Sequence, residues 1–280
     1  MNEFHMNDFY CKNENIGSQY CITHPPFSEQ ELHVHDQCEL FYLVEGKGYY
    51  ETEGTRYKFA PGIILLMRPG ESHRAVRFDD SPYARLSIHF SPSVVDSFDK
   101  DRLLLRPFYD RTMGTRNYYN AEMLADTNIY QYLEKMSAPC TSQKAQCIQV
   151  LSYLPAVLSE LSRVFDQNTA PSIDQNNLIH DILEYINRNL ATPLSVELLC
   201  EKFFITRTQL YRLFKKTTKM NTWEYIVLKR LVLARSMIND GIASSDAAKA
   251  CGFKDYSSFY RAYTTKYGGP PSGIHRTRCK

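Results

Sequence analysis

Four side chains in the first third of the chain have types and spacing that could do chemistry together. They are His33 and His35 in His-Val-His, Glu39 four residues later, and His73 at the end of Pro69-Gly-Glu-Ser-His. Three imidazoles and a carboxylate suit a divalent ion that prefers nitrogen and oxygen, such as Zn²⁺, Ni²⁺, Mn²⁺ or Fe²⁺. The same groups can hydrogen-bond a small polar effector, or simply satisfy a polar interior. Positions 33, 35, 39, 41 and 43 share parity, so one unbulged strand would turn them all to one face, with Cys38 on the other. Metal ligation, effector contact without metal and a structural role all remain open for this set. Tyr42, Tyr49 and Tyr83 are aromatic candidates for stacking on a sugar ring.

A second constellation lies near the other end. Leu210-Tyr-Arg-Leu-Phe214 recurs as Phe259-Tyr-Arg-Ala-Tyr263, an offset of 49 residues. In each copy the apolar positions belong to a helix core and leave a Tyr-Arg pair facing out. Ala248, then Gly252-Phe253, fits the turn of a helix-turn-helix, where a small residue lets two helices approach and glycine takes the bend. Such a motif lays its second helix in the major groove, against base edges, while neighbouring groups hold phosphates. Each arginine alone would read equally well as a solvated helix residue; their equivalent recurrence favours nucleic acid.

The charge distribution agrees. Residues 176–280 carry 17 Lys+Arg against 8 Asp+Glu, a net +9, whereas the remainder is net −7 within a total of +2. A compact basic segment is the footprint of a polyanion binder, and the acidic part predicts a different partner.

The elements that must position these residues follow from pattern. Between about Glu31 and Phe90 short β-rich runs (CELFYLVE, GYYETE, TRYKF, GIILLM, RLSIHF) alternate with Gly and Pro turns, which predicts a small barrel or sandwich. From about Tyr118 to Phe165 the period is helical. Cys147, Leu151, Leu154, Leu158, Leu161 and Phe165 form a heptad seam that predicts a homodimer or, alternatively, a helix covering the barrel, with Pro155 expected to kink or split it. Asp166 to Asp174 reads as a linker. Beyond it the sequence predicts helices capped by Ser195, by Thr206 with Gln209 and by Thr222, the last ended by Gly241, then one after Ser244-Ser245 and one capped by Asp255.

Composition excludes several classes. With 43% hydrophobic and 23% charged residues the chain is a soluble globular type. The segment MNEFHMNDFYCK lacks an apolar signal region, and the longest apolar run, Phe59 to Met67, is far short of the roughly 18 residues that span a bilayer. Eight cysteines without a C-x-x-C pair argue against a zinc ribbon and a disulfide framework, and for a reducing cytoplasm.

The helical part resembles the AraC/XylS family of transcription regulators from about Leu178 to Arg276. Most of the signature lies in Ala247-Ala248, Cys251-Gly252-Phe253, Asp255, Ser258-Phe259, Arg261 and the Gly268…Pro271 tail; Phe204, Lys219 and Ile274-His275 depart from it. The resemblance implies recognition helices at about Arg207 to Lys216 and Tyr256 to Lys266. It places DNA contacts on Arg207, Thr208, Tyr211, Arg212, Lys215, Tyr256, Ser257, Tyr260 and Arg261. The earlier part is similar to cupins, through H-x-H-x3-E-x6-G (His33, His35, Glu39, Gly46) and P-G-x2-H (Pro69 to His73), with Arg77 where an Asn is usual. That implies a ligand or metal set of His33, His35, Glu39 and His73, with no cofactor certain beyond a candidate divalent metal.

The expected architecture is therefore two-domain: an all-β cupin-like sensing barrel at 1–100, a helical dimerisation segment and linker at 101–170, and an all-α DNA-binding domain with two helix-turn-helix motifs at 171–280. The expected function is a cytoplasmic, homodimeric, sequence-specific regulator, not an enzyme, that responds to a small molecule such as a sugar and works with RNA polymerase. The rival readings are a cupin metalloenzyme fused to a DNA-binding domain and a constitutive regulator whose barrel senses nothing. Arg77, and the lack of a second titratable group at catalytic spacing, disfavour the enzyme.

Overall fold

The computed structural model describes residues 9–12, 15–23, 32–77, 82–96, 98–167, 174–175 and 177–271. The chain divides into two compact units. The first runs to Gln175; the second comprises Asn176–Lys280 together with two short earlier stretches, Glu31–Asp36 and Pro69–Ser72.

The first unit holds strands β1 (Phe9–Lys12), β2 (Ile16–Thr23), β3 (Cys38–Glu45), β4 (Gly48–Thr52), β5 (Thr55–Phe59), β6 (Ile64–Met67), β7 (His73–Arg77), β8 (Tyr83–Phe90), β9 (Tyr118–Tyr119) and β10 (Asp174–Gln175). They form a six-stranded sheet, β1-β2-β8-β3-β6-β9, and a four-stranded sheet, β10-β5-β4-β7. The larger sheet is covered on both faces, and its alternation shows how. Phe41, Leu43, Leu65 and Met67 meet Tyr50, Tyr57 and Phe59 of the smaller sheet, while Leu40, Ile64, Leu66, Leu86 and Ile88 turn to a helical layer. That double burial explains why Ile64-Leu-Leu-Met67 is apolar throughout. The architecture is a two-sheet β sandwich of the expected cupin-like kind.

The helical layer contains α1 (Ser93–Asp96), a 3₁₀ turn at Leu103–Leu105, α2 (Arg106–Tyr109), α3 (Ile129–Ser137) and α4 (Gln143–Phe165). Two corrections to the expectations arise here. Pro155 lies inside α4, which stays one unbroken helix. The missing hydrogen bond costs about 3 kcal/mol, offset by complete burial of Leu154, Val157, Leu158 and Leu161 around it. The heptad seam is likewise spent inside the molecule: Cys147, Leu154, Leu158, Leu161 and Phe165 belong to the same core as Leu86 and Ile88 of the sheet. It is therefore the face that covers the sandwich, and a dimer must use another surface. Cys147 is also disulfide-bonded, which the cysteine spacing did not announce.

The second unit is helical: α5 (Asn177–Arg188), α6 (Val196–Phe203), α7 (Arg207–Thr218), α8 (Thr222–Asn239), α9 (Ser244–Ala250) and α10 (Tyr256–Tyr267). Ser195 caps α6, Thr206 and Gln209 close a capping box on α7, and Asp255 caps α10, as the sequence predicts. One cap moves by one residue: Asn221, not Thr222, caps α8 through a box with Glu224. The helix expected after Ser244-Ser245 includes both serines, α9 starting at Ser244 with no side-chain cap. Ile274 and His275 lie outside the described residues.

Two helical cores form, and α8 belongs to both. Tyr225 and Ile226 pack with Ile182, Leu210 and Phe214; Leu231, Ala234 and Ile238 pack with Ala247, Phe259 and Tyr263. Arg230, only 4% exposed, fixes the junction. Its Nε and Nη2 donate to the carbonyls of Leu190 (2.9 Å) and Thr192 (2.8 Å). A Cβ on Gly252, in the second turn, would stand 2.5 Å from the Leu190 carbonyl and 3.0 Å from Arg230 Nη2, and φ there is +83°.

The first turn obeys different constraints. Phe204 also has positive φ (53°), yet its side chain is 94% exposed. The hydrogen bonds match: Phe204 and Ile205 N–H bond Glu201 and Cys200 carbonyls, as Gly252 and Phe253 N–H bond those of Lys249 and Ala248. One turn is repeated, but only the second is pressed by its surroundings. Gly252→Ala is expected to cost about 2–4 kcal/mol, from left-handed strain plus the clash with backbone. Phe204→Gly should change stability by less than about 1 kcal/mol, since relieved strain and added chain entropy oppose each other. Denaturant midpoints measure both; equal effects would refute the packing difference.

Candidate functional site

Strand pairing builds the polar centre of the sandwich. Glu39 on β3 stands directly opposite His89 on β8, and both point to the inner side along with Phe41 and Tyr83. His73, first residue of β7 in the other sheet, reaches the same carboxylate: its Nε2 is 3.0 Å from Glu39 Oε2, and His89 Nε2 is 3.5 Å away. Tyr50 stacks on the His73 ring at 5.9 Å with planes 9° apart. Glu39 is only 4% exposed, so its charge is tolerable there because the imidazoles solvate it. Burial disfavours charge on His89, but the charge of Glu39 and the hydrogen bond to it outweigh that and hold its pKa above the ordinary value.

Of the four residues expected together, Glu39 and His73 meet. The premise of one unbulged strand through positions 33 to 43 is corrected. β3 begins at Cys38, after a bend at residues 36–37, and His33 and His35 lie on the stretch grouped with the second unit, their rings 6.3 Å apart. Parity does hold from Cys38 onward, and Cys38 faces the helical layer, where its sulfur meets Tyr109 Oη at 3.9 Å. His89 was missed. It sits in the run RLSIHF, and only the β3–β8 register reveals it.

The three tyrosines part company. Tyr42 has the outward parity and packs beside Tyr130, 6.0 Å between rings. Tyr49 carries the Arg56 guanidinium on its face. Tyr83 is interior, with Arg77 and Arg85 each 5.3 Å from its ring centre, and burial pushes its hydroxyl up to about 12. Arg77, where cupins commonly have Asn, is thus engaged with Tyr83. Buried side-chain atoms of Thr52, Thr55, Tyr83 and Asn117 have no protein hydrogen-bond partner. Buried polar groups of this kind are satisfied by water or by a ligand.

In the second unit, Leu210, Phe214, Phe259 and Tyr263 are buried. That leaves Arg207, Thr208, Tyr211 and Arg212 exposed on α7, and Tyr256, Ser257, Tyr260 and Arg261 exposed on α10. Each set occupies the first turns after a capped N-terminus, where free N–H groups and positive dipole favour phosphate. Arg207 pairs with Glu197 at 2.6 Å, both largely exposed; such solvent-screened pairs contribute little and yield readily to a phosphate. Tyr256 Oη meets Ser244 Oγ at 2.9 Å, which ties α10 to α9. Lys215 is half-buried and donates to the Lys219 carbonyl at 3.3 Å, so its ammonium serves its own helix end. Asp255 is held below the usual carboxylate range by the Ser258 N–H that it caps.

Comparison with known proteins follows this division. The "AraC-like ligand binding domain" family matches residues 21–148, and the "Helix-turn-helix domain" family matches residues 199–277. The Msm operon regulatory protein of Streptococcus mutans is 23% identical, over 98% of this chain and 96% of its own length. The lactose operon transcription activator of Staphylococcus xylosus is 23% identical over 90% of this chain and 84% of its own. A solved structure of ToxT from Vibrio cholerae shares 14% identity over 92% of this chain and 97% of that one, with a TM-score of 0.39. No helix among the described residues is long and apolar enough to cross a membrane.

The Glu39–His89 pair yields a pH prediction. In metal-free protein, His89 should titrate above the ordinary 6.5, and Glu39→Gln should lower its midpoint, because burial then acts unopposed. The stability this pair contributes is fully present below the ordinary histidine pKa and is lost as pH rises through the raised one. Imidazole NMR titration of both proteins measures it; an unmoved midpoint in the variant would break the assignment.

Proposed function

Since the chain belongs to the AraC family of transcription regulators, with a ligand-binding domain followed by a DNA-binding helix-turn-helix domain, we propose that it controls transcription in response to a small polyhydroxylated effector, such as a sugar, held inside the sandwich. The observation that carries this is the set of buried polar atoms on Thr52, Thr55, Tyr83 and Asn117 without protein partners, around an interior that also offers Glu39, His73 and His89. Unspent hydrogen-bonding capacity in an otherwise apolar interior suits a ligand rich in hydroxyls. The Staphylococcus xylosus relative, named for a lactose operon, supports a carbohydrate.

In this reading Arg212 and Arg261 read bases, Arg207 and Thr208 join them on α7, and Tyr211, Tyr256, Ser257 and Tyr260 position the backbone. The protein works in the cytoplasm as a homodimer with RNA polymerase, and is a regulator rather than an enzyme. The dimer would use the outward stripe of α4, Lys144, Ile148, Ser152 and Ser159, because the apolar seam is already occupied. DNA binding should be steeply salt-dependent as condensed counterions are released. On an operator selected from random duplexes, Arg212→Ala and Arg261→Ala should each cost about 1–3 kcal/mol while sparing non-specific binding. Equal losses on both DNAs, measured by fluorescence anisotropy, would reassign them to phosphate.

Metal is a second reading, favoured by the donor chemistry. Glu39, His73 and His89 offer nitrogen and oxygen donors of the kind a borderline divalent ion takes. These residues would hold the ion with Glu39 as its anionic ligand, and His73 would stay oriented by Tyr50. Elemental analysis of untagged protein should then show about one ion per chain, lost in Glu39→Gln. A metal-free wild type would leave these residues as effector contacts.

A further inference from the structure

Two stretches of the ligand-binding sequence fold with the helical unit: Glu31–Asp36 and Pro69–Ser72. They are joined to each other, since the Gly70 N–H donates to the His35 carbonyl at 2.9 Å. Both are fastened to α8. Val34 is buried against Leu228 and Val232. Asp36 Oδ2 accepts from Arg235 Nε at 3.0 Å and from Asn239 Nδ2 at 3.4 Å. The buried Lys229 ammonium donates to the Gly70 carbonyl.

The first stretch has two faces. Leu32 and Val34 are buried, whereas His33 is exposed and His35 is half-buried. The residues that grip α8 thus alternate along the backbone with the two imidazoles. The chain also fixes what each stretch is attached to: Asp36 lies three residues before Glu39, and Ser72 immediately precedes His73. Neither Glu39 nor His73 can shift far along its strand without pulling on a segment that holds the helix common to both helix-turn-helix cores.

We propose that residues 32–36 and 69–72 form a two-point strap through which the state of the Glu39/His73/His89 centre is transmitted to α8, and so to the relative setting of α7 and α10. The proposal rests on that centre being the effector site. The strap supplies what an allosteric claim needs: a discrete contact that either site can bias.

A double-mutant cycle on the full chain tests it without a known effector. Glu39→Gln perturbs the centre; Asp36→Asn with Val34→Ala releases the strap from one side, and Arg235→Gln releases it from the helix side. Operator affinity and amide exchange of α8 are the readouts, with exchange of β8 as the control for folding. Glu39→Gln is expected to change operator affinity by about fivefold or more in the otherwise wild-type chain, and by less than about twofold once either release is present. Release alone should speed exchange in α8 by about tenfold and leave β8 unchanged. Additive effects of Glu39→Gln and release, or unchanged α8 exchange on release, would overturn the strap. Zn²⁺ serves as the probe of the underlying site. Zinc taken up equally by wild type and released variants, with no change in α8 in either, would sink the strap and spare the site. Failure to bind zinc, with a non-additive cycle, would sink the metal reading and uphold the strap.

Discussion

The buried guanidinium of Arg230 is the interaction on which the DNA-binding unit depends. An arginine cannot shed its charge, and burial alone works against that charge here. It is kept because its fork fits two carbonyls in the turn before α6, those of Leu190 and Thr192. The same fork lies against Gly252, in the turn of the second motif. One side chain of the shared helix thus sets both halves. Removing it would take the donor from two part-buried carbonyls and unlink α8 from that turn. The relative setting of α7 and α10 is therefore a property of α8 rather than of either motif.

In the sandwich the corresponding constraint is Glu39. A carboxylate at that depth must be countered, and the sheets do it from two directions, His89 across one ladder and His73 across the interior. The centre lies beside Thr52 and Tyr83, whose hydroxyls have no protein partners, so charge and unspent hydrogen-bonding capacity share one interior.

Sequence patterns disclosed most of this architecture where local rules decide it. The capping box at Thr206 and Gln209, the Asp255 cap and the Tyr-Arg repeat each depend on residues within one turn of one another, so they survive folding unchanged. Five of the six strands between 38 and 90 lie within runs legible by alternation, but β7, with His-Arg-Ala-Val-Arg, and the early β1 and β2 carry too few β-rich residues in a row to stand out. What could not be read was long-range. The heptad seam of α4 has a coiled-coil spacing because covering a sheet demands an apolar stripe of similar width. His89 becomes a site residue only through register with β3. The single strand expected through positions 33 to 43 is interrupted by a bend at residues 36–37, which no Gly or Pro signals.

The fastenings of the strap differ in strength, the strongest being the buried Lys229 ammonium on the Gly70 carbonyl, at about 1.5–3 kcal/mol. The part-exposed Asp36–Arg235 pair is worth about 0–1 kcal/mol, and burial of Val34 adds about 1.5–3 kcal/mol at most. A coupling between two sites typically amounts to 1–3 kcal/mol, the same scale. Stronger fastening would hold α8 in one setting whatever occupied the sandwich, and weaker fastening would transmit nothing.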